Sequence, residues 1–214
     1  MAEVIFTGPE GRLEGRFHTG PGEAPPLALI LHPNPAQRGT MNNTIAHTMF
    51  KVYQARGFSV LRFNFRGVGR SQGVYDHGEG ELSDAAAALD WMQSHNPNAT
   101  ECWVAGFSFG AWIGMQVLMR RPEITGFTCV APPANTHDFS FLAPCPSSGL
   151  IVHGLNDELV PEPSVAKLVA KLRAQRGIEI DYEIIPDTDH FFRGKEDTIT
   201  ELVGGYLDKS RSPA

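Results

Sequence analysis

The sequence predicts an α/β fold with a mostly parallel central sheet and helices on both faces. Short apolar runs alternate with segments of helical periodicity along nearly the whole chain. Residues 27–32 (LALILH) are apolar at almost every position, which is typical of strands buried on both faces of a parallel sheet. Because successive strands are separated by helices, the connections should be right-handed crossovers.

Composition limits the classes of protein that fit. With 214 residues, 42% of them hydrophobic, the chain can bury a core without disulfides or metal, which predicts one domain over residues 1–214. A net charge of −6 without basic runs argues against nucleic acid and anionic membrane surfaces as partners. No apolar run approaches the ~18 residues of a membrane span, and no export signal begins the chain.

The cysteine content indicates a reducing compartment. The chain has three cysteines, and two of them lie in apolar, strand-like runs. An odd number in such positions favours buried thiols over a disulfide framework. We therefore expect a cytoplasmic location.

The first half of the chain predicts a hairpin followed by two strands and a helix. Residues 4–6 and 12–17 are β-rich runs separated by glycine and proline. Residues 27–32 form the next strand, which ends in the turn HPNP. Residues 42–56 carry apolar positions at helical spacing and stop at Gly57. Residues 58–65 predict another strand, and the glycine-rich loop RGVGRSQG follows it.

The second half continues the alternation. The alanine-rich residues 79–95 predict a helix, and residues 101–121 predict a strand, a sharp turn and a helix. Further strands are expected at 126–131, 149–153 and 178–185, and helices at 161–175, opened by proline, and at 196–207. We expect residues 210–214 to be a mobile tail.

The sharp turn carries a candidate nucleophile. Ser108 lies at the centre of the sequence Gly-Phe-Ser-Phe-Gly, between Gly106 and Gly110. A serine held in a strained conformation between strand and helix leaves no room for a Cβ two residues to either side. Its hydroxyl would stand at the carboxyl end of a strand and the amino end of a helix, where backbone N–H groups favour negative charge.

A serine hydroxyl needs a base within hydrogen-bond reach and a carboxylate that orients the base. His190 follows the last strand, and Asp157 follows the strand at 149–153. Asp187 and Asp189 are rivals, but they are too close to His190 along the chain to reach the far nitrogen of its ring. The alternative interpretations are purely structural: His190 would be a histidine in a surface loop, and Asp157 would be a carboxylate at a helix N-terminus.

Two backbone amides are candidates for stabilising an oxyanion. One is the N–H of Phe109, which directly follows the serine. The other is the N–H of Asn34, because its neighbours Pro33 and Pro35 have none. The two prolines are equally compatible with a purely structural role in forming the turn.

Other polar and aromatic residues have less specific patterns. Phe107, Phe191 and Phe192 flank the proposed chemistry and could line an apolar pocket, although aromatic residues there are more often core. His32 and His153 end strands and are expected to be structural. The glycine-rich loop lacks the Lys-Ser/Thr ending of a phosphate-binding loop, and no metal-binding motif occurs, so we expect neither cofactor nor metal.

Five segments resemble, in the correct order, those of the α/β-hydrolase superfamily: LHPNPAQRGTMNNT, LRFNFRGVGRSQG, AGFSFGAW, HGLNDELVP and DTDHFF. Within it the chain is similar to the small lidless serine hydrolases related to dienelactone hydrolase and bacterial carboxylesterases. The resemblance implies that Ser108 is the nucleophile, His190 the base and Asp157 the acid. True dienelactone hydrolases use cysteine as nucleophile, which argues against a dienelactone substrate.

The interval between the strands ending near 131 and starting near 149 is where related proteins insert a cap domain. It is too short here to hold a lid. We therefore expect an open site and hydrolysis of small or short-chain carboxylic esters. A thioesterase, a peptidase, an acyltransferase or a non-catalytic binding protein on the same fold remain alternatives. A homodimer is compatible with a fold of this size, though the sequence shows no interface signature.

Overall fold

The computed structural model describes residues 1–212, in which eight strands form one sheet. Across the sheet the strands follow the order β1-β2-β4-β3-β5-β6-β7-β8. The strands are β1 (Ala2–Gly8), β2 (Gly11–His18), β3 (Leu27–Leu31), β4 (Ser59–Phe63), β5 (Cys102–Phe107), β6 (Ile124–Val130), β7 (Gly149–Gly154) and β8 (Ile180–Ile185). The helices are α1 (Thr44–Ala55), α2 (Glu79–His95), α3 (Phe109–Leu118), α4 (Glu162–Arg173) and α5 (Glu196–Ser210).

The sheet is mostly parallel, as the sequence predicts. Strands β1 and β2 form an antiparallel hairpin that closes at the pair Gly8 and Gly11, and β2 is antiparallel to β4. The remaining neighbours, from β4 through β8, pair in parallel. The carboxyl ends of β3 to β8 therefore meet at one edge of the sheet, where this class of fold binds its ligands.

Each face of the sheet packs against its own group of helices. On one face α2, α3 and α4 cover a core that includes Leu89, Val104 and Ile113. On the other face α1 and α5 cover a second core that includes Tyr53 and Trp103. The adjacent residues Trp103 and Val104 belong to opposite cores because side chains alternate across a strand. This explains the nearly continuous apolar runs of the central strands.

Strand β4 is shorter than predicted. It ends at Phe63 instead of residue 65, because the following backbone leaves the sheet and bonds to side chains. The amide of Phe65 donates to Nε2 of His32 at 3.1 Å, and the amide of Arg66 donates to Oδ2 of Asp84 at 2.9 Å. The start of the glycine-rich loop is thereby tied to β3 and α2.

Residues 210–212, at the start of the predicted mobile tail, form defined contacts with the rest of the fold. Helix α5 continues to Ser210. The guanidinium of Arg211 forms an ion pair with Glu101, with 2.9 Å between Nε and Oε2, and stacks 4.6 Å from the centre of the Phe58 ring. These contacts hold the end of the helix against the sheet. Residues 213 and 214 of the predicted tail lie outside the described residues.

The segment joining β6 to β7, residues 131–148, contains neither helix nor strand, so the prediction of a fold without a cap domain is confirmed. Within residues 1–212, no helix is both long and apolar enough to cross a membrane. Cys102, Cys129 and Cys145 are buried free thiols, as expected. Burial raises the pKa of Cys102 to about 12.

Candidate active site

Ser108 occupies a strained backbone conformation at the junction of β5 and α3. Its φ and ψ are 53° and −119°, and its amide donates to the carbonyl of Val130 at 2.8 Å. A Cβ on Gly106 would overlap the backbone of Gly110, and a Cβ on Gly110 would overlap the carbonyl oxygen of Leu31. Both glycines are therefore required by close backbone contacts, which is the steric reason anticipated from the sequence.

The structure brings the imidazole of His190 to the Ser108 hydroxyl, although 82 positions separate the two residues in the chain. Nε2 of His190 lies 3.0 Å from Oγ of Ser108. His190 is buried, while Ser108 is partly exposed. The hydroxyl is thus open to solvent on one side and bonded to a base on the other.

Asp157 holds the other nitrogen of the His190 ring. Oδ2 of Asp157 lies 2.7 Å from Nδ1 of His190, so Nδ1 donates its proton and Nε2 of the neutral ring is free to accept one. Oδ1 accepts from the amides of Leu159 at 2.9 Å and Val160 at 2.8 Å. Burial tends to raise the pKa of Asp157, but the hydrogen bonds from His190 and Val160 outweigh it and lower the pKa, so the carboxylate is charged.

Of the two rival carboxylates, Asp189 is engaged elsewhere. Asp189 accepts a hydrogen bond from the amide of Phe191 at 2.9 Å and lies 3.5 Å from the guanidinium of Arg193. Asp187 sits at a positive φ of 49°. Of the three aspartates considered from the sequence, Asp157 is the one that bonds to the His190 ring.

The two predicted oxyanion donors lie in different elements, Asn34 in the turn after β3 and Phe109 at the first position of α3. The turn at Asn34 is closed by its side chain, whose Oδ1 accepts from the amide of Ala36 at 2.9 Å, and by its carbonyl, which accepts from Gln37 and Gly39. Within residues 1–212, the N–H groups of Asn34 and Phe109 donate to no protein acceptor. The contact of Gly110 with the carbonyls of Leu31 and His32 brings the start of α3 against this turn.

His32 is structural, as expected, and it stabilises the same turn. Its Nδ1 donates to the carbonyl of Pro33 at 2.7 Å, and its Nε2 accepts from the amide of Phe65 at 3.1 Å. Burial lowers the pKa of His32 to about 4, so the ring is neutral and can make both bonds. His153 is likewise structural, since its Nε2 donates to the carbonyl of Val160 at 2.8 Å.

The predicted aromatic pocket is wrong for two of its three residues. Phe107 and Phe192 are buried in the core on the α1 and α5 side of the sheet, and their ring centres lie 6.1 Å apart. Phe107 packs behind His190, at 5.5 Å between ring centres, and so supports the imidazole instead of lining a pocket. Phe191 is half exposed and contacts the edge of the His190 ring, so it alone faces outward.

A second aromatic group, which the sequence analysis missed, surrounds the side chain of Phe109. The rings of Tyr75, Trp112 and His137 lie 6.1, 5.7 and 6.2 Å from that of Phe109. Only Trp112 has a local signal, because it follows Ser108 by one helical turn. Tyr75 and His137 come from distant loops. Together Tyr75, Trp112 and His137 form an aromatic wall beside Phe109 at the start of α3, on the face of the sheet opposite the core that contains Phe107.

Comparisons with known proteins identify serine hydrolases and peptidase families as relatives of this chain. The family model of X-Pro dipeptidyl-peptidase (S15 family) matches residues 18–141, and that of the prolyl oligopeptidase family matches residues 125–205. The crystal structure of an α/β serine hydrolase without a lid from Xanthomonas campestris is similar at a TM-score of 0.87 and 31% identity, covering 100% of this chain and 96% of that chain. The chain belongs to the α/β serine hydrolases.

Two further relatives resemble this serine hydrolase over nearly its whole length. A protein of unknown function from Agrobacterium tumefaciens is 58% identical, with a TM-score of 0.96 and coverage of 98% of this chain and 96% of that chain. An uncharacterized protein of Rickettsia prowazekii is 50% identical over an alignment of 211 residues, which covers 97% of the hydrolase and 89% of the relative. The relation to dienelactone hydrolase stays a prediction.

Proposed function

We propose that this hydrolase cleaves small or short-chain carboxylic esters through an acyl-enzyme intermediate. The observation that carries the proposal is the hydrogen-bonded series from the Ser108 hydroxyl through His190 to Asp157. A neutral imidazole whose Nδ1 is bonded to a carboxylate has its Nε2 lone pair directed at the serine, which is the arrangement a serine nucleophile requires.

In the proposed acylation step, Oγ of Ser108 attacks the acyl carbon while Nε2 of His190 takes the hydroxyl proton. The carbonyl oxygen becomes an oxyanion, which the unpaired N–H groups of Asn34 and Phe109 stabilise. The intermediate collapses, the bond from carbon to the leaving oxygen breaks, and His190 returns its proton to the departing alcohol. Asp157 stabilises the imidazolium formed between these transfers.

Deacylation repeats the sequence with water. His190 removes a proton from a water molecule as its oxygen attacks the acyl carbon, and the same two amides bind the second oxyanion. Collapse breaks the bond to Oγ and releases the carboxylic acid, and the proton passes from His190 back to Ser108. No group other than the ester and water is consumed.

Two observations support small substrates. The β6–β7 connection adds no helix or strand above the site, and Ser108 remains partly exposed. Binding energy for a long acyl chain would have to come from an enclosed apolar channel or a closing lid. We therefore expect activity on p-nitrophenyl acetate and butyrate to exceed that on palmitate.

The test is hydrolysis of p-nitrophenyl acetate by the purified protein and by Ser108→Ala, with fluorophosphonate labelling and peptide mapping. Loss of activity in the variant together with a label on Ser108 supports the proposal. An optimum at long acyl chains would overturn the proposed substrate size. A folded protein that neither hydrolyses esters nor takes the label would favour the binding-protein alternative.

A peptidase is the second candidate, because both matching family models describe peptidases. The same series of side chains would serve, with an amine as leaving group. Release of p-nitroaniline from Gly-Pro-p-nitroanilide, measured beside p-nitrophenyl acetate, separates the two functions. The buried free thiols support our further proposal that the enzyme works in the cytoplasm.

A further inference from the structure

A cleft lies between residues 134–143 and helix α4, on the face of the sheet that carries α3. Its volume is about 420 Å³, within the range of small-molecule sites. Neither Ser108 nor His190 lines it. His137 connects the cleft with the aromatic wall, because it lines the cleft and its ring lies 4.5 Å from that of Trp112. The cleft is therefore a neighbour of the proposed active site and separate from it.

The outer wall of the cleft is fastened at three points. Nδ2 of Asn135 donates to the carbonyl of Leu159 at 2.9 Å, and Nε1 of Trp112 donates to the carbonyl of Asp138 at 3.0 Å. At the far end, Gln175 donates to the carbonyl of Leu142 and accepts from the amide of Cys145, both at 2.7 Å. These bonds hold an otherwise irregular segment in place. A ligand that binds there does not have to order the segment, so the entropic cost of binding is smaller.

The floor of the cleft is apolar. Four side chains form it, two from the outer segment and two from α4, and each is no more than 8% exposed: Phe139, Leu142, Leu168 and Leu172. Burial of an aliphatic chain on this floor would favour binding by a free energy of roughly 25 cal/mol per Å² of apolar surface removed from water.

The rim of the cleft carries positive charge. Lys167 and Lys171 stand one helical turn apart on α4, both exposed, and neither forms an ion pair with any side chain of residues 1–212. The rim also carries Asp138, whose oxygens accept from the amide and hydroxyl of Ser140 at 2.8 and 2.7 Å. Two lysines and one aspartate leave a single net positive charge.

We propose that this cleft binds an aliphatic monocarboxylate, with its chain on the apolar floor and its carboxylate between Lys167 and Lys171. The single net positive charge of the rim complements one carboxylate. The floor requires a hydrocarbon chain, which a small inorganic anion does not have. The proposal does not depend on the chemistry proposed for Ser108.

The test is titration of the intact protein with decanoate, followed by calorimetry and by amide chemical shifts. Decanoate is expected to bind and to shift the amides of residues 134–143 and of α4. Acetate tests the need for the chain, and decanol tests the need for the charge; both are expected to bind at least about tenfold more weakly.

Substitutions then separate the cleft from other sites. Lys167→Gln with Lys171→Gln is expected to weaken decanoate binding about tenfold, because two charge contacts are lost. Lys51→Gln with Lys209→Gln changes the net charge equally but lies outside the cleft, so it should leave binding unchanged. Ser164→Trp, which fills the cleft from α4, should abolish binding, and Ser108→Ala should not alter it.

Several results would overturn the proposal. One is the absence of decanoate binding to the wild type, and another is binding of decanol as tight as that of decanoate. A third is an equal loss of decanoate binding in the Lys167/Lys171 double variant and the Lys51/Lys209 double variant. Shifts confined to residues 108–110 and 190–192 would place decanoate at the proposed active site and also overturn it. Thermal unfolding of each variant shows whether a loss of binding reflects a loss of fold. Failure of ester hydrolysis would leave the cleft proposal standing, since its readout is binding.

Discussion

Asp157 divides its two carboxylate oxygens between His190 and its own loop: Oδ2 lies 2.7 Å from Nδ1 of His190, while Oδ1 accepts two backbone amides. In Asp157→Asn the amides of Leu159 and Val160 keep the remaining oxygen facing the loop. The new NH₂ group must then face Nδ1, which makes Nδ1 an acceptor and puts the imidazole proton on Nε2.

With that tautomer His190 cannot accept the Ser108 proton. We expect kcat for p-nitrophenyl acetate to fall by about 10³–10⁴-fold with little change in thermal stability. The rate of fluorophosphonate labelling of Ser108 should fall in parallel. A variant labelled at the wild-type rate would show that Asp157 has no part in activating the serine.

Gly110→Ala should damage both stability and activity. The added methyl group would overlap the carbonyl oxygens of Leu31 and His32 and push α3 away from the turn that holds Asn34. We expect a loss of about 1–3 kcal/mol in the free energy of unfolding, measured by urea denaturation, together with reduced ester hydrolysis.

Gly205→Ala is the matched control, because a Cβ on this helical glycine meets no atom within 4 Å. Alanine has the higher helix propensity, so this variant should be more stable by about 0.5–1 kcal/mol and fully active. Equal destabilisation by the two substitutions would contradict the role assigned to the contact at Gly110.

Neutral His32 should make the protein sensitive to mild acid. Burial lowers its pKa from 6.5 to about 4, so as the pH falls below about 6.5 the unfolded chain binds a proton before the folded protein does. Stability is therefore lost progressively between pH 6.5 and 4, by an amount on the order of 3 kcal/mol from this residue.

The measurement is the free energy of unfolding from urea titrations at several pH values, for wild type and His32→Gln. The variant should begin less stable at pH 7, because it loses the ring that joins Pro33 to Phe65, but its decline toward pH 4 should be shallower. Parallel curves for the two proteins would mean that His32 titrates normally in the folded state.

Removing one partner of the buried ion pair of Arg66 and Asp84 should destabilise the protein more than removing one partner of an exposed pair of the same geometry. Asp84 has no exposed side-chain surface and accepts from the backbone and guanidinium of Arg66. Asp84→Ala leaves a buried unpaired guanidinium and should cost about 3–5 kcal/mol.

Asp208→Ala removes a similar bidentate pair, in which both oxygens of Asp208 lie 2.8 Å from nitrogens of Arg56 but the carboxylate is 64% exposed. Its effect on thermal unfolding should be much smaller, because water replaces the lost bonds. Comparable effects of the two substitutions would contradict the importance of burial.

The parts of the site that the sequence predicted are those that depend on local spacing. Glycine two positions before and after Ser108 indicates a backbone constraint within a single turn, and the structure shows the close contacts responsible. The proline on either side of Asn34 similarly leaves one N–H in its turn. The alternation of apolar runs and helical segments was enough to predict a parallel sheet.

The errors concern burial and contacts between distant segments. Phe107 and Phe191 both flank the proposed chemistry, yet one lies in the core and the other is half exposed. The direction of the Phe107 side chain follows from the alternation of β5, but which face α1 and α5 cover depends on packing of the whole chain. The anchoring of Arg211 depends on Glu101, 110 positions away.

By itself the sequence determined the fold class, the strained turn at Ser108 and the order in which serine, aspartate and histidine follow the strands. These features arise within single elements, where the periods of strand and helix and the restrictions on glycine and proline act. Only the tertiary structure decided the distances that join Ser108, His190 and Asp157, which aromatic rings surround Phe109, and where a cleft opens beside α4. Those contacts join elements far apart in the chain, and they form only when the hydrophobic faces of all the elements are buried together.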